Sequence, residues 1–238
     1  MNAPIYYIGG SKGGVGKSKM AFAFIDYLID KGIKVLVVET DNSNPDVYKA
    51  HSPYAGESLI CEINDLDSSD GWIKLVDYAE EHPEHRLVIN SAARSNTGIA
   101  QYGATLRETL GGLERQLAAF WLLNRQRDSV EVLRSCLTAF PEIPIWVFRN
   151  LFFGSMERFD VYNTSKIKEQ VEKRGRTLDL PNLAPRVADR IYSERLPLWI
   201  AMTKFRLSER YELSRWKNLC AGLFDIALEE NCQDSFAS

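Results

Sequence analysis

The sequence has few of the residues that build metal centres or disulfide frameworks. Among 238 residues there are four cysteines and three histidines, all scattered, and the two residue types together form no zinc-binding pattern. The nearest pair, His82 and His85, could be imagined as metal ligands, but a solvated loop before a strand fits that spacing better. We therefore expect a reduced, cytoplasmic protein without a structural metal.

Long apolar runs and an excess of positive charge are also missing. The longest apolar stretches, such as 118–123, are much too short to cross a bilayer, and no charged-then-apolar leader is present. With 29 Lys and Arg against 32 Asp and Glu, the net charge is −3, so binding to nucleic acid would need a local basic patch. Neither a membrane anchor nor a polycationic protein is expected.

What the chain does have is a regular alternation of apolar runs with helical stretches. Hydrophobic residues make up 45% of the sequence, which is enough for a full core. The strand-like runs are Ile5–Ile8, Val35–Val38, Leu87–Ile89, Ala118–Leu123 and Ile145–Phe148. This alternation predicts an α/β fold with a doubly wound, mostly parallel sheet flanked by helices. We expect one domain over residues 1–230, a long final helix from Ile200 to Glu229, and a flexible polar tail over 231–238.

The most specific motif lies between the first strand and the first helix. Residues 9–18 read GGSKGGVGKS. The general phosphate-loop pattern G-x-x-x-x-G-K-[ST] is missed because Ser11 takes the place of its first glycine, whereas the variant K-G-G-x-x-G-K-[ST] is met in full from Lys12 to Ser18. A glycine-rich turn without a ligand is the alternative. The order of strand, glycine loop and helix favours a phosphate-binding loop.

Each residue type in this loop has a chemical reason to be there. Gly13, Gly14 and Gly16 let backbone N–H groups approach phosphate oxygens, and the positive end of the following helix adds to the attraction. Lys17 is expected to reach the β- and γ-phosphates, and the Ser18 hydroxyl is expected to bind Mg²⁺. The predicted nucleotide-contacting segment is Gly13, Gly14, Val15, Gly16, Lys17, Ser18 and Lys19.

Polar residues follow the next strand-like runs, where ligands of parallel sheets bind. Asp41, in the segment Glu39-Thr40-Asp41, is the candidate for orienting the attacking water and for a place in the metal shell, although Asp-Asn-Ser is also a common turn or helix cap. Residues 91–95 resemble a switch loop that senses the γ-phosphate, with an inert loop as the alternative. Asn150 could read the adenine edge.

Asn90 departs from the usual chemistry of this position. P-loop NTPases usually place an Asp at this strand end to hold the Mg²⁺ shell. The amide oxygen of Asn90 could still contact the metal, but it brings no negative charge, so Mg²⁺ binding or turnover should be weak unless Glu39 or Asp41 supplies the charge. On the sequence alone, Asn90→Asp is expected to raise hydrolysis or Mg²⁺ affinity.

Together these residues resemble the deviant-Walker-A ATPases, the family of ParA and MinD proteins and the nitrogenase iron protein. The similarity rests on residues 11–18, on Glu39-Thr40-Asp41 in place of the family's usual Asp-x-Asp, and on Asn150 with the segment around Pro185 as the adenine side. It implies ATP and Mg²⁺ as cofactors. It also implies that Lys12, Lys17 and Asp41 are the catalytic residues. In a homodimer, Lys12 would cross the interface and contact the partner's nucleotide.

Within that family the chain is similar to small single-domain members encoded with plasmid partition, stability or mobilisation genes. Because the last residues carry no basic amphipathic pattern and Lys12 lies near the start, we expect neither a MinD-type membrane anchor nor a preceding DNA-binding domain. The late helix offers Lys204, Arg206, Arg210, Arg215 and Lys217 for non-specific DNA binding, diluted by Glu209 and Glu212. A merely solvated helix face is the alternative.

Three functions compete on this evidence. The first is a dimerising ATPase that acts as a nucleotide switch in plasmid partition or mobilisation, with slow hydrolysis that a partner protein stimulates. The second is a nucleotide-binding regulator or scaffold with little hydrolysis, for which Asn90 is the evidence. The third is a small-molecule kinase or synthetase on the same fold, similar to dethiobiotin synthetase relatives, against which Lys12 argues.

Overall fold

A computed structural model describes residues 2–11, 13–92 and 96–234, and for residues 96, 97 and 230–234 it describes the backbone only. Seven strands form one sheet in the order β3-β2-β4-β1-β5-β6-β7, and every strand pairing is parallel. The strands are β1 (Ile5–Gly10), β2 (Val35–Glu39), β3 (Leu59–Ile63), β4 (Arg86–Asn90), β5 (Leu117–Leu123), β6 (Ile145–Asn150) and β7 (Thr177–Leu180). The predicted doubly wound α/β fold is confirmed.

Ten α-helices in the described part of the chain cover the two faces of the sheet. They are α1 (Lys17–Asp30), α2 (Asp46–His51), α3 (Ser69–Glu81), α4 (Asn96–Leu113), α5 (Arg127–Ala139), α6 (Asp160–Asn163), α7 (Lys166–Val171), α8 (Pro185–Glu194), α9 (Leu198–Lys204) and α10 (Leu207–Asp234). Helices α1, α2 and α8–α10 lie on one face and α3–α7 on the other. Within the part of the chain that the structure describes, no helix is both long and apolar enough to cross a membrane.

Alternation along β1 explains why the sheet is covered on both sides. Tyr6 and Ile8 point into the core under α1, while Ile5 and Tyr7 point into the opposite core. All six residues of β1 are buried, as expected for a central parallel strand. Because β1 pairs with β4 on one side and β5 on the other, the loop after β1 leaves the middle of the sheet, where the strand order reverses and ligands bind in this architecture.

An aromatic cluster fixes α1 against the sheet. The Phe24 ring lies 4.8 Å from Tyr6, 4.9 Å from Phe120 and 5.0 Å from Phe224, measured between ring centroids. Full burial of one such side chain contributes about 1.5–3 kcal/mol. The cluster joins β1, α1, β5 and α10, so the start of α1 is held in a fixed position above the sheet.

The structure differs from the predicted elements in two places. The edge strands β3 and β7 were not predicted, because their residues are mostly half-exposed and mix polar with apolar types. The predicted single helix from Ile200 to Glu229 is two helices, since Phe205 is in an extended conformation between α9 and α10 (φ −76°, ψ 158°). Helix α10 then continues to Asp234, beyond the predicted end.

Candidate functional site

The loop between β1 and α1 is held in place by backbone geometry and by one distant side chain. Gly14 and Gly16 have positive φ angles of 77° and 107°, which residues other than glycine rarely adopt. Val15 is buried, and its carbonyl accepts a hydrogen bond of 2.8 Å from Asn150 Nδ2. Lys12 lies outside the described residues.

Ser11, which breaks the general motif, has a structural partner. Its hydroxyl is buried and donates to Ser129 Oγ at 2.9 Å, and Ser129 Oγ also accepts from the backbone N–H of Asn124 at 3.2 Å. The first-glycine position of the loop is thereby tied to the start of α5. Ser129 is a residue that sequence reasoning missed, and no local pattern marks it.

Lys17 stands at the first position of α1 with its side chain almost fully buried. Burial lowers the pKa of Lys17 to about 8, and the nearby carboxylates of Asp41 and Glu39 offset part of this effect. A buried ammonium is costly unless anionic groups compensate it. A phosphate bound in the loop would provide that compensation.

Asp41 stabilises a turn and also lines the cavity. Its Oδ1 accepts from Ser43 N at 3.2 Å, Ser43 Oγ at 2.5 Å and Asn44 N at 3.1 Å, so it organises the turn before α2. Burial by itself would raise the pKa of Asp41, but these hydrogen bonds and Lys17 outweigh burial and lower it. Asp41 also lines the same cavity as Lys17 and Ser18, where an ionised carboxylate can accept a proton or orient water.

Glu39 and Asn90 form a buried pair next to Ser18. Asn90 Nδ2 donates to both carboxylate oxygens of Glu39, at 2.9 and 3.1 Å, and lies 3.5 Å from Ser18 Oγ. Burial raises the pKa of Glu39 to about 7, against the lowering effect of hydrogen bonds from Asp41 N, Asn90 and Val47 N. A cation bound nearby would lower that pKa again.

The donor set of this corner fits a magnesium ion. Asn90 Oδ1 is buried and has no hydrogen-bond partner within the described residues. A buried amide oxygen without a partner is uncommon and needs an explanation such as an absent ligand. Ser18, Asp41 and Asn90 all line the cavity, and hydroxyl, carboxylate and amide oxygens are the ligands that Mg²⁺ accepts in proteins.

The cavity itself has a volume of about 460 Å³, in the range of small-molecule and cofactor sites. Its polar end is formed by the loop residues and by the strand ends described above. The other end is lined by Lys19, Asn150, Phe152, Leu183, Pro185, Ala188, Asp189 and Tyr192. The structure therefore brings together all the predicted site residues that it describes, except Val15, which is buried under the loop and supports it.

The part of the cavity lined by Asn150, Phe152 and α8 was only partly predicted from the sequence. Both ends of the Asn150 amide are engaged with the backbone, since Nδ2 donates to Val15 O and Oδ1 accepts from Phe152 N at 3.1 Å. Asn150 thus braces the phosphate loop and has one further N–H for a ligand. The ammonium of Lys19 lies 5.5 Å from the centroid of the exposed Phe152 ring. Phe152 lies in the short turn after β6, whereas Asp189 and Tyr192 lie three residues apart on α8, and no sequence signal joins these two segments.

Ser91 and Ala92, which follow β4, are hydrogen-bonded to the neighbouring strand β1 and to the residue after β2. Ser91 N donates to Ile8 O at 3.1 Å, and Ala92 N donates to Thr40 Oγ1 at 2.8 Å. Thr40 Oγ1 in turn donates to Asn90 O at 3.1 Å. Residues 93–95 of the predicted switch loop lie outside the described residues.

The cations predicted on the late helix have different surroundings. Lys217 is bound by Asp26 at 2.7 Å and Asp30 at 3.2 Å, and Arg215 pairs with Glu212 at 2.8 Å. Lys204 and Arg206 are exposed.

Glu209, which would dilute this charge, is buried. It holds Arg186 at 3.1 Å and Arg190 at 2.7 Å, both on α8. The fold therefore places two arginines of α8 beside the start of α10, but Glu209 pairs with them as Asp26 and Asp30 pair with Lys217.

Comparison with known proteins gives a consistent result. A family model described as the CobQ/CobB/MinD/ParA nucleotide binding domain matches residues 6–172. Protein MobD of Acidithiobacillus ferrooxidans is similar, with 46% identity over 231 residues, 97% of this chain and 100% of that protein. The matched segment 6–172 contains the phosphate loop, Asp41, Asn90 and Asn150, but ends before Pro185.

Two solved structures share the fold. The MinD cell division protein of Aquifex aeolicus aligns with a TM-score of 0.55 and 15% identity over 90% of this chain and 95% of that one. A nucleotide-binding protein of Archaeoglobus fulgidus in complex with ADP aligns with a TM-score of 0.52 and 14% identity over 83% of this chain and 88% of that one. At these identities the likeness is one of fold.

Proposed function

Because this chain belongs to the CobQ/CobB/MinD/ParA family of nucleotide-binding domains, we propose that it is an ATP-dependent dimerising ATPase that acts as a nucleotide switch. The similarity to MobD over the whole length of that protein supports a role in plasmid mobilisation, with plasmid partition as the related possibility. In this proposal the protein works in the cytoplasm.

One observation carries the proposal. The buried Lys17 ammonium, the Ser18 hydroxyl and the orphaned Asn90 Oδ1 converge on one cavity at the carboxyl edge of the sheet, directly after the glycine loop. A cation, a hydroxyl and a free amide oxygen at the polar end of a nucleotide-sized cavity match the groups that a nucleoside triphosphate and its metal require.

The chain's own residues divide the work of hydrolysis. Lys17 holds the β- and γ-phosphates, Ser18 and Asn90 hold the magnesium ion, and Asp41 orients the attacking water. Bound Mg²⁺ supplies charge neutralisation for the phosphates. Asn90 lines the cavity without a charge of its own, and the nearby charge of Glu39 acts on the metal only through Asn90, so we expect slow turnover that a partner protein stimulates.

Dimerisation is the part of the proposal that Lys12 carries. The cavity opens at the edge of the sheet where the loops after the central strands gather, so a second copy could face it there. A lysine in that loop can reach the phosphates of the opposite subunit and favour the dimer only when ATP is bound.

Size-exclusion chromatography of the wild type and of Lys12→Ala with ATP, with ADP and without nucleotide tests this proposal. We expect a dimer of the wild type with ATP only, and a monomeric Lys12→Ala that still binds ATP in a fluorescence titration. Lys17→Ala is the matched control, which should lose both binding and dimerisation. A wild type that stays monomeric with ATP, or a Lys12→Ala that dimerises normally, would contradict the proposal.

A regulator or scaffold with little hydrolysis is the second candidate, and the neutral Asn90 favours it. The two functions differ in turnover. Steady-state phosphate release that stays near background when a mobilisation partner such as a relaxase is added would favour the regulator, and stimulated release would favour the ATPase.

A further inference from the structure

Glu39 and Asn90 occupy opposite positions on neighbouring strands. The parallel register of β2 and β4 places Glu39 directly across from Asn90 at the carboxyl edge of the sheet. Glu39 is fully buried and Asn90 is 2% exposed. A carboxylate in such a place must find its donors within the protein.

The carboxylate of Glu39 is surrounded by donors. Oε1 accepts from Asp41 N at 3.1 Å and Oε2 from Val47 N at 3.2 Å, while Asn90 Nδ2 lies within 3.1 Å of both oxygens. A carboxylate only accepts hydrogen bonds, so it selects the amide orientation in which Nδ2 faces Glu39. That orientation leaves Oδ1 as the free acceptor of Asn90.

We propose that Glu39 and Asn90 act as one unit in which Glu39 provides the negative charge of the metal corner and, as a positioning residue, directs Asn90 Oδ1 toward the ion. This inference rests on the proposed nucleotide function and deepens it. Asn90 is then one half of a matched pair, and its missing charge stands on the neighbouring strand about 3 Å away.

The pair reverses the expectation drawn from the sequence for Asn90→Asp. A second carboxylate at residue 90 would face Glu39 across the same short distance, and two like charges this close cannot both be ionised without a large penalty. The single change should therefore harm the protein. The double change Glu39→Gln/Asn90→Asp removes that repulsion, although the single amide oxygen of a glutamine cannot accept from both Asp41 N and Val47 N.

A double-mutant cycle tests the unit in two ways. The first readout is thermal unfolding without nucleotide or metal, in which Asn90→Asp should lower the midpoint by on the order of 5 °C in the wild-type background and by much less in the Glu39→Gln background. The second is the Mg²⁺ concentration needed for half-maximal ATP affinity. This should rise about tenfold in Glu39→Gln, the size of effect that one charge-assisted contact contributes, and return toward the wild type in the double variant.

Asn124→Asp is the matched control, because Asn124 is also a buried amide at a strand end, but it follows β5, three strands away from β2, and its Oδ1 accepts from Gln126 N at 2.8 Å. The change that the control variant makes in the unfolding midpoint should be the same with and without Glu39→Gln. Additive effects of Glu39→Gln and Asn90→Asp, or a gain in stability from Asn90→Asp alone, would overturn the pair. If Asn90→Asp does not fold, a folded double variant supports the pair and an unfolded one rejects it. The unfolding cycle needs no ligand, so failure of the proposed ATP binding is distinguished from failure of the pair.

Discussion

Glycines of the phosphate loop differ in what they contribute to the folded chain. A Cβ atom added at Gly16 would lie 2.6 Å from Asn150 Nδ2, and the φ angle there is 107°. A Cβ at Gly13 would meet nothing within 4 Å. The fold itself therefore requires glycine at Gly16, and at Gly14 through its φ angle of 77°, whereas packing leaves room for a side chain at Gly13.

We expect Gly16→Ala to lower the free energy of unfolding by about 1–3 kcal/mol, because an alanine there is strained and displaces the Asn150 amide. Gly13→Ala should change it by less than about 0.5 kcal/mol. Urea unfolding of both variants without nucleotide checks this. Equal stability of the two variants would show that the left-handed turn is not under strain.

Between elements, the contact of α1 with α10 contains a buried charge. Asp26 on α1 is 1% exposed and holds Lys217 on α10, which also binds the exposed Asp30. Burial raises the pKa of Asp26 to about 6 from its ordinary 3.8, although Lys217 and a backbone hydrogen bond from Trp199 lower it, while Asp30 raises it. The pairing is thus not strong enough to offset the loss of hydration.

This pKa has a definite sign for stability. Between about pH 4 and pH 6 the folded state holds a proton on Asp26 that the unfolded state has released, so this group makes the protein less stable as the pH rises. In Asp26→Asn the free energy of unfolding should not fall in this way. Between pH 4 and pH 8 it should therefore rise by on the order of 2 kcal/mol relative to that of the wild type.

Chemical denaturation at the two pH values measures the difference. The control is Asp30→Asn, in the same cluster but exposed, for which we expect little change at either pH because exposed pairs contribute little. A pH-independent effect of Asp26→Asn would argue that Asp26 is fully compensated by Lys217.

Across the whole molecule, α8, α9 and α10 together build one basic surface. Arg186 and Arg190 of α8 bind the buried Glu209, the exposed Lys204 and Arg206 lie just before α10, and Leu207 and Tyr211 are exposed on its first turns. Cations interleaved with exposed apolar side chains suit a phosphate backbone. This surface is the part of the molecule to test for the predicted DNA binding.

We expect Lys204→Glu/Arg206→Glu to abolish salt-dependent binding of duplex DNA in the presence of ATP, because both side chains are exposed cations of this surface. Fluorescence anisotropy at about 50 and 200 mM salt measures it. Lys166→Glu/Lys173→Glu changes the net charge equally at exposed positions on and after α7 and should bind like the wild type. Equal loss in both variants would point to net charge alone, and no binding by the wild type would remove DNA from the proposal.

Local sequence predicted the glycine loop between β1 and α1, the five central strands and the placement of Lys17, Ser18, Asp41 and Asn90 around one cavity, while phosphate binding by that loop stays a prediction. These features could be predicted because a central parallel strand is apolar throughout and a loop that approaches phosphate needs glycine at fixed spacing. Each signal is contained within a few consecutive residues.

Only the tertiary structure decided which residues meet. The partnership of Glu39 with Asn90 depends on the register of two strands about fifty residues apart. The part of the cavity lined by Phe152, Asp189 and Tyr192 joins two segments that share no sequence pattern. The break between α9 and α10 contains neither proline nor glycine. It arises because Phe205 is buried under Arg190 and Glu209 accepts from Arg206 N, contacts that exist only after the chain has folded.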